Sequence, residues 1–393
     1  MRTKPMRICA VTGSRADYGL LQPVMAELRD DGEFDLSVVA TGTHLAPEFG
    51  LTYREIEADG FAIDSRVEIV TPDDTGIGVA KSMGLALSGL ADAFAALKPD
   101  FVLLLGDRFE ALAAAETALV MGLPLIHFSG GDVTEGSFDD AMRHAITKMA
   151  SLHFVASADA GRRVRQLGED AARVHVVGDP GLDALRCMTL MCRDELENDL
   201  GFRFRERNFL ITFHPATLDM VPSLDQFAAL LEALAEYDVC GLIFTKPNAD
   251  PEGRALTAAL DAFVARQENA VAVASLGHRR YLSVMNEVDV VVGNSSSGLL
   301  EAPSLHTPAV NIGDRQGGRL RAASVIDCAP DRRAIGAALN AALELDCKDI
   351  ENPYGDGYTA ARVLCILKEI ADPGALLHKK FVDLPSAGDA FHV

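Results

Sequence analysis

The sequence predicts an α/β protein of two doubly wound domains, each a mostly parallel sheet covered by helices. Short apolar runs rich in β-branched residues alternate with amphipathic stretches of helical periodicity along most of the chain. Many of these runs end in a cluster of Gly, Asp, His or Thr, the position at which open α/β sheets bind ligands. The chain has 393 residues, more than one typical domain, which indicates two domains.

The first domain is predicted at 1–190 and opens with an apolar strand at 6–12. The following segment, 18–29, has its apolar residues on one helical face and predicts a helix. Further strands are predicted at 36–40, 101–105, 125–128 and 174–177.

A charged stretch at 187–208 breaks this pattern, so we place the junction there and the second domain at 205–350. Strands of a second parallel sheet are predicted at 209–213, 241–245, 270–274, 288–292 and 309–312. A last helix within 351–372 could pack back on the first domain. The tail, 373–393, has no periodicity and is expected to be partly disordered.

The composition limits the classes of partner and the compartment. A net charge of −21 repels phosphate backbones and anionic membranes, so we expect neither nucleic acid nor a membrane as a partner. A small anionic ligand would need local arginines, for which Arg15, Arg108, Arg143 and Arg315 are candidates. The seven cysteines form no CxxC pair, and no signal peptide or membrane span is predicted, so we expect a cytoplasmic protein.

The segment LIHFSGGDVTEGSFDDAMRHAITK carries the densest set of chemical groups. Asp139 and Arg143 share a face of its predicted helix because they lie four residues apart. Neighbouring carboxylates drive their pKa values apart, which can leave an acid and a base at neutral pH. Asp107, in GDRFE, adds a carboxylate at another strand end. Asp139 could alternatively serve only as a helix cap.

Two loops are candidate anion sites. TGSRADYG places the backbone NH groups near Gly13 and the side chain of Arg15 at the start of a helix. GNSSSGLLEAPSL adds serine hydroxyls, and Glu301 could accept hydrogen bonds from ribose hydroxyls. His214, at a strand end, could donate to a phosphate oxygen. Neither loop is GxGxxG or a P-loop, so no nicotinamide or flavin cofactor is predicted.

Several stretches together resemble one family. They are GSRADYG, GDRFE, GGDVTEGSFDDAMRHAITK, FHPAT, KPNAD, GNSSSGLLEAPS and NIGDRQGGR, in order between residues 13 and 319. As a set they resemble the hydrolysing UDP-N-acetylglucosamine 2-epimerases, including those that open sialic-acid and related nonulosonic-acid biosynthesis. The resemblance implies two Rossmann-like domains of the glycosyltransferase family B type, with the nucleotide held mainly by the second.

The resemblance also implies an activity and an assembly. UDP-N-acetylglucosamine and water would become N-acetylmannosamine and UDP by elimination to a glycal and hydration, with no metal or cofactor. A homodimer or homotetramer is expected.

Site residues follow from the resemblance by position. Those implied as catalytic are Asp107, Asp132, Asp139 and Arg143. Because many relatives have GGE where this chain has GGD, Glu135 could share the role of Asp132. Those implied as substrate contacts are Arg15, His44, Arg108, His214, Asn248, Ser295, Ser296, Glu301 and Arg315.

Other activities stay open at the level of sequence. A close subfamily acts on UDP-2,4-diacetamido-2,4,6-trideoxyglucose, and a GDP-linked sugar is a further alternative. A non-hydrolysing epimerase, a glycosyltransferase of the same fold and a non-catalytic sensor are further candidates. The carboxylate density near residue 132 speaks against the last two.

Overall fold

The computed structural model describes residues 4–70, 75–134, 138–215, 221–246 and 253–383. The chain divides into two compact units, one formed by Met1–Ala184 with Gly355–Val393 and the other by Leu185–Tyr354. Each unit contains a parallel sheet with helices packed on it, which confirms the predicted α/β class. The charged stretch at the predicted junction falls mostly in the second unit.

The first unit begins with alternating strands and helices. Its strands are β1 (Met6–Thr12), β2 (Phe34–Thr41), β3 (Ser65–Val67), β4 (Phe101–Leu105), β5 (Leu125–Phe128), β6 (Leu152–Val155) and β7 (Val174–Val176). Its helices are α1 (Arg15–Asp30), α2 (Tyr53–Ala58), α3 (Gly76–Leu97), α4 (Phe109–Val120), α5 (Phe138–Met149) and α6 (Ala158–Gln166). The next helix, α7 (Gly181–Cys187), spans the boundary between the two units.

The strand order of the first sheet determines where a ligand can bind. The order is β3-β2-β1-β4-β5-β6-β7, and neighbouring strands are parallel. Ile8 in β1 pairs with Leu36 on one side and Phe101 on the other. The strands that follow β1 in sequence, β2 and β3, lie on one side of it, and β4 to β7 lie on the other, so the strand order reverses between β1 and β4. In sheets of this kind the ligand crevice lies beyond the carboxyl ends of the two strands at that switch point. Gly13 and Asp107 lie in the two loops that flank this crevice.

The central strands are buried because helices cover both faces of the sheet. All five residues of β4 are buried. Leu21 and Met25 of α1 pack on one face, and Phe94 of α3 and Ala114 of α4 pack on the other. β3 and β6 were not predicted, because their runs SRV and LHFV are too short to display a period.

The second unit repeats the architecture. Its strands are β8 (Asn208–Thr212), β9 (Gly241–Thr245), β10 (Ala270–Val273), β11 (Val290–Gly293), β12 (Ala309–Ile312) and β13 (Val325–Cys328). Its helices are α8 (Arg193–Leu200), α9 (Ser223–Leu234), α10 (Gly253–Val264), α11 (Gly277–Glu287), α12 (Ser297–Leu300) and α13 (Arg332–Leu343). The parallel order β10-β9-β8-β11-β12-β13 reverses between β8 and β11. His214 and Ser295 follow these two strands, at the equivalent crevice of their own sheet.

The end of the chain belongs to the first unit. Helix α14 (Thr359–Glu369) packs on α1. Asp183 of α7 caps α14, because its two carboxylate oxygens each accept from a backbone NH group, of Thr359 and of Ala360, at 2.9 Å. This cap joins residues that lie far apart in the sequence.

The tail after α14 is structured over residues 373–383. Pro373–Leu377 form a 3₁₀ turn, and the backbone NH of Val382 donates to the carbonyl oxygen of Gly168 at 3.0 Å. The prediction of partial disorder over 373–393 therefore does not apply to 373–383, and residues 384–393 lie outside the described residues.

Helix α3 is the one described helix long and apolar enough to cross a membrane, with a mean hydropathy of 1.2. Its buried residues, including Ala86, Leu90 and Phe94, belong to the core over the sheet. A packed helix of a globular unit passes the same test, so this helix is weak evidence for a membrane span.

We expect Asp183→Ala to lower the free energy of unfolding by about 2 kcal/mol, because two buried NH groups of α14 lose their acceptor. The control is Asp92→Ala, which removes a carboxylate from an exposed position of α3 and should cost less than about 0.5 kcal/mol. Denaturant unfolding followed by circular dichroism measures both. Equal midpoints for the wild type and Asp183→Ala would show that the cap does not stabilise α14.

Candidate active site

The guanidinium of Arg143 joins the polar segments beyond the first sheet. It is 7% exposed and donates to the Asp107 carboxylate, the Thr134 hydroxyl (2.9 Å), the Asp132 carbonyl oxygen (2.9 Å) and the Asp140 carboxylate (3.2 Å). These acceptors come from the loop after β4, the loop after β5 and α5. One buried arginine therefore fixes the relative positions of three segments that carry predicted catalytic residues.

The acidity of Asp107 is altered by this environment. Burial raises the pKa of the Asp107 carboxyl group, Arg143 lowers it and Asp139 raises it. Asp139 also acts electrostatically on Arg108, so the two aspartates and two arginines form one charged cluster. The structure thus brings together four residues that the sequence analysis proposed for the site. Such a cluster can hold a proton on one carboxyl group while another stays ionised.

Asp140 belongs to the same cluster, although the sequence analysis gave it no role. Its carboxylate accepts from the backbone NH of Thr134 at 2.8 Å and lies 3.3 Å from Nε2 of His144. Its spacing of three residues from Arg143 on α5 was the available signal.

Glu110 is a second buried carboxyl group that sequence reasoning missed. Its side chain is 3% exposed, and Oε1 accepts from Nε of Arg108 at 2.6 Å. Burial raises the pKa of Glu110, while Arg108 lowers it. Its carboxyl group occupies the space beside Gly13 that a Cβ atom there would need. Glu110 therefore fixes Arg108 beside the loop after β1.

The backbone NH groups of Gly13 and Ser14, just before α1, already have an acceptor. The carboxylate of Asp17 accepts from the backbone NH of Gly13 at 2.8 Å and of Ser14 at 2.7 Å, in a capping box. The expectation that these NH groups bind a ligand anion is therefore wrong, because a side chain of the same helix binds them. Arg15 is exposed at the first residue of α1, and its substrate contact stays a prediction.

Three described histidines of the first unit are fully buried, and two of them, His44 and His127, bear on the candidate site. The ring nitrogens of His44 lie 3.0 Å from the Thr12 hydroxyl and 2.8 Å from the Thr52 hydroxyl, and burial lowers the pKa of His44. This geometry gives no support to a direct substrate contact by His44. Burial lowers the pKa of His127 to about 3, and its Nε2 lies 2.8 Å from the carbonyl oxygen of Gly106. His127 is therefore a neutral support for the residue that precedes Asp107.

Two predicted site residues, Glu135 and Asn248, lie outside the residues that the structure describes. Asp132 lies half-buried in the loop after β5. In the described part of the chain, no group of three or more His, Cys, Asp and Glu side chains could hold a metal ion.

Asn294 organises the candidate nucleotide site of the second unit. It is 1% exposed, and its side-chain amide clamps the backbone of His214, accepting from the NH at 2.7 Å and donating to the carbonyl oxygen at 2.8 Å. Its own carbonyl oxygen accepts from Arg315 at 3.0 Å and from Gln316 at 2.9 Å. Asn294 therefore brings His214 and Arg315 to the loop of residues 293–298, which we call the serine loop. The sequence predicted that these three features share a site, but it gave no role to Asn294.

The serine loop is fixed by hydroxyl groups. The Tyr281 hydroxyl lies 2.5 Å from Oγ of Ser297, which lies 3.0 Å from Oγ of Ser295. Helix α12 is only four residues long, and the 3₁₀ turn Ala302–Leu305 follows directly after Glu301. The expected helix dipole is thus a single turn, which leaves the loop hydroxyls and NH groups as its main donors.

Comparison with known proteins places the chain among sugar-nucleotide enzymes. Residues 26–368 match the family model described as UDP-N-acetylglucosamine 2-epimerase. The hydrolysing GDP/UDP-N,N'-diacetylbacillosamine 2-epimerase of Campylobacter jejuni is 41% identical over 322 residues, covering 82% of this chain and 84% of that protein. The hydrolysing UDP-N,N'-diacetylbacillosamine 2-epimerase of Legionella pneumophila is 34% identical over 373 residues, covering 95% and 98%.

A solved structure confirms the fold. The UDP-GlcNAc 2-epimerase from Neisseria meningitidis, bound to UDP-GlcNAc, superposes with a TM-score of 0.74 at 19% identity. The match covers 93% of this chain and 100% of that chain, so it spans both units and confirms the two Rossmann-like domains.

We expect the pKa of the Asp107 carboxyl group to lie above that of an ordinary aspartate and to rise further in Arg143→Met. Burial raises this pKa, and the substitution removes the cation that lowers it. Carbon-13 NMR titration of labelled aspartate carboxyl groups measures the shift, with exposed Asp92 as the internal reference. A pKa of Asp107 at or below that of Asp92 would contradict this electrostatic account.

Proposed function

This chain belongs to the UDP-N-acetylglucosamine 2-epimerase family, and we propose that it is a hydrolysing UDP-sugar 2-epimerase. A base removes the proton from C2, the electron pair forms the C1–C2 double bond, and the C1–oxygen bond breaks to release UDP. Water then adds to the glycal: its hydroxide bonds to C1, and a proton bonds to C2 on the face opposite to the one that lost the first proton. The products are UDP and a free sugar epimerised at C2.

The Arg143 cluster is the observation that carries this proposal. A C2 proton with no neighbouring carbonyl is weakly acidic, so its removal needs a fixed carboxylate and a stabilised leaving group. Asp107 is held by Arg143 and lies in the electrostatic field of Asp139. We assign acid and base duties to these two aspartates with Asp132, and Glu135 is a candidate to share them.

The second unit supplies the nucleotide site in this proposal. Ser295, Ser296, His214 and Arg315 contact the diphosphate, and Glu301 accepts from the ribose hydroxyls. The support is the hydrogen bonding of Asn294, which gathers the His214 backbone and Arg315 at one place. Arg15, Arg108 and Asn248 remain proposed substrate contacts. These donors neutralise a diphosphate without a metal ion, so none is proposed.

The sugar that we favour is UDP-2,4-diacetamido-2,4,6-trideoxyglucose, the UDP form of N,N'-diacetylbacillosamine. Two relatives named for that sugar are 41% and 34% identical to this chain, and together they support it over UDP-N-acetylglucosamine. UDP-N-acetylglucosamine is the second candidate, because the family model carries its name. The free sugar produced would serve nonulosonic-acid biosynthesis, which includes the sialic acids, in the cytoplasm.

We also propose a homodimer or homotetramer. Helices α3 and α4 contact each other and expose apolar side chains: Ile77 is 68% exposed, Leu119 54% and Val120 83%. Covering such side chains with a second copy would remove apolar surface from water. α3 then serves in packing and assembly rather than in a membrane.

The oligomer proposal predicts that Val120→Glu dissociates the assembly, because it places a charge among the covered apolar side chains. Val239→Glu is the matched control, since Val239 is 73% exposed on the second unit. Light scattering after size-exclusion chromatography measures the mass. A monomeric wild type, or dissociation by Val239→Glu alone, would reject this surface.

The function is tested by incubating the protein with each UDP-sugar in deuterated water, with chelator present, and following the products by NMR. We expect UDP and a free sugar of manno configuration with deuterium at C2, formed faster from the diacetamido substrate. A product that retains the UDP linkage would indicate a non-hydrolysing epimerase instead. No turnover with either sugar would oppose the proposed activity.

In the same assay we expect Asp107→Asn to lower kcat at least about a hundredfold, because it removes a proton-transferring carboxylate. UDP affinity should stay within a few fold, since that group acts on the transition state. Asp35→Asn, at an exposed position of β2, is the control. Unchanged turnover in Asp107→Asn would remove Asp107 from the mechanism.

A further inference from the structure

The chain places a buried charge cluster at the far end of the helix that carries Arg143. Glu169, in the loop after α6, has a side chain only 1% exposed. Its carboxylate accepts from Nζ of Lys148 at 2.7 Å, from Nζ of Lys379 at 2.6 Å and lies 3.1 Å from Nε2 of His153. Burial raises the pKa of Glu169, but hydrogen bonds with His153, Lys148 and Lys379, the last two being cations, lower it to about 2. Glu169 is therefore an ionised, fully partnered anchor.

One of these cations, Lys379, comes from the tail that follows α14. We name residues 373–383 the C-terminal strap. Arg173 holds it by donating to the carbonyl oxygens of Leu376 at 2.5 Å and of His378 at 2.9 Å. The ring of Phe381 covers Gly168, which has φ +82°, and lies 4.7 Å from Nζ of Lys148. The strap is thus seated on the first unit at several independent points.

Lys379 also binds the end of α5 directly. Its ammonium group donates to the carbonyl oxygens of Lys148 at 2.9 Å and of Ala150 at 2.5 Å. These carbonyl groups lie at the C-terminal end of α5, where a helix has unsatisfied acceptors and attracts a cation. Lys379 therefore satisfies the helix end and links it to Glu169.

Arg143, which pairs with the proposed catalytic carboxylate, lies on the same helix about one and a half turns before Lys148. Arg143 and Asp140 lie on α5, and Thr147 of α5 connects to the support beneath Asp107: its hydroxyl donates to the carbonyl oxygen of Arg143 at 2.9 Å and lies 3.2 Å from Nδ1 of His127. A displacement of α5 along its axis would therefore move Arg143 away from Asp107. The end of α5 that could prevent such a displacement is the one bound by Lys379.

We propose that the C-terminal strap is a positioning element of the active site, with Lys379 as its positioning residue acting through α5 on Arg143. The inference deepens the proposed function and rests on it for its kinetic test. It assigns a role in turnover to a segment for which the sequence showed no pattern.

The kinetic test compares Lys379→Ala, Lys379→Arg and Lys380→Ala in the full-length protein. We expect Lys379→Ala to lower kcat roughly 10- to 100-fold, because small displacements of catalytic groups have effects of that size. KM and UDP affinity should change little. Lys379→Arg keeps a cation that can reach both partners and should recover most of the loss, while exposed Lys380 should be replaceable without effect.

A second measurement does not depend on turnover. Amide hydrogen exchange of the ligand-free protein should show weaker protection of α5 in Lys379→Ala than in wild type, with the second unit unchanged. Should Lys379→Ala fail to fold, Phe381→Ala loosens the strap while leaving Lys379 and Glu169 in place, and should give the same α5 signature. Wild-type kcat in Lys379→Ala, or unchanged α5 protection, overturns the proposal. An inactive wild type with the expected exchange pattern would refute the proposed function and leave the anchoring role supported.

Discussion

A buried arginine needs acceptors for its NH groups, and the active-site half of the first unit is arranged around that requirement. Arg143 is 7% exposed and cannot be solvated by bulk water, so an incompletely paired guanidinium there would be costly. Its planar shape directs its donors at fixed angles, which a lysine would not do. The loops after β4 and β5 and the first turns of α5 supply the acceptors and are therefore held in one geometry. The position of Asp107 follows from this pairing.

The second unit solves an equivalent problem with a neutral residue. Asn294 has the same organising role as Arg143, but its amide both accepts from and donates to the backbone of His214. Because Asn294 is neutral, it adds no negative charge beside Arg315 and His214, whereas a buried carboxylate at that position would add one. This difference between Arg143 and Asn294 agrees with the proposal that the first unit moves protons and the second holds an anion.

Sequence patterns were sufficient where the physical signal is local. β1, β4 and β5 are mostly apolar runs, and their predicted bounds agree with the structure. The shared face of Asp139 and Arg143 followed from helical spacing. Helical spacing could not predict that Arg143 pairs with Asp107, because Asp107 lies 36 residues away and the pairing depends on which strands are neighbours. The NH groups of Gly13 and Ser14 were expected to bind a ligand anion, but the Asp17 carboxylate accepts from them instead. Residue spacing alone does not decide which of the two acceptors binds.

The return of α14 to the first unit affects the order in which the protein can be made. Synthesis proceeds from the amino terminus, and units generally fold as they emerge. The second unit is a continuous stretch, Leu185–Tyr354, whereas the first lacks α14 until residues 359–369, which follow the whole second unit, have been synthesised. During that interval the apolar surface of α1 that α14 will cover stays exposed to water and to chaperones. The enzyme therefore completes its first-made unit only after the second, and a chain that ended before residue 359 would have a complete second unit and an unfinished first.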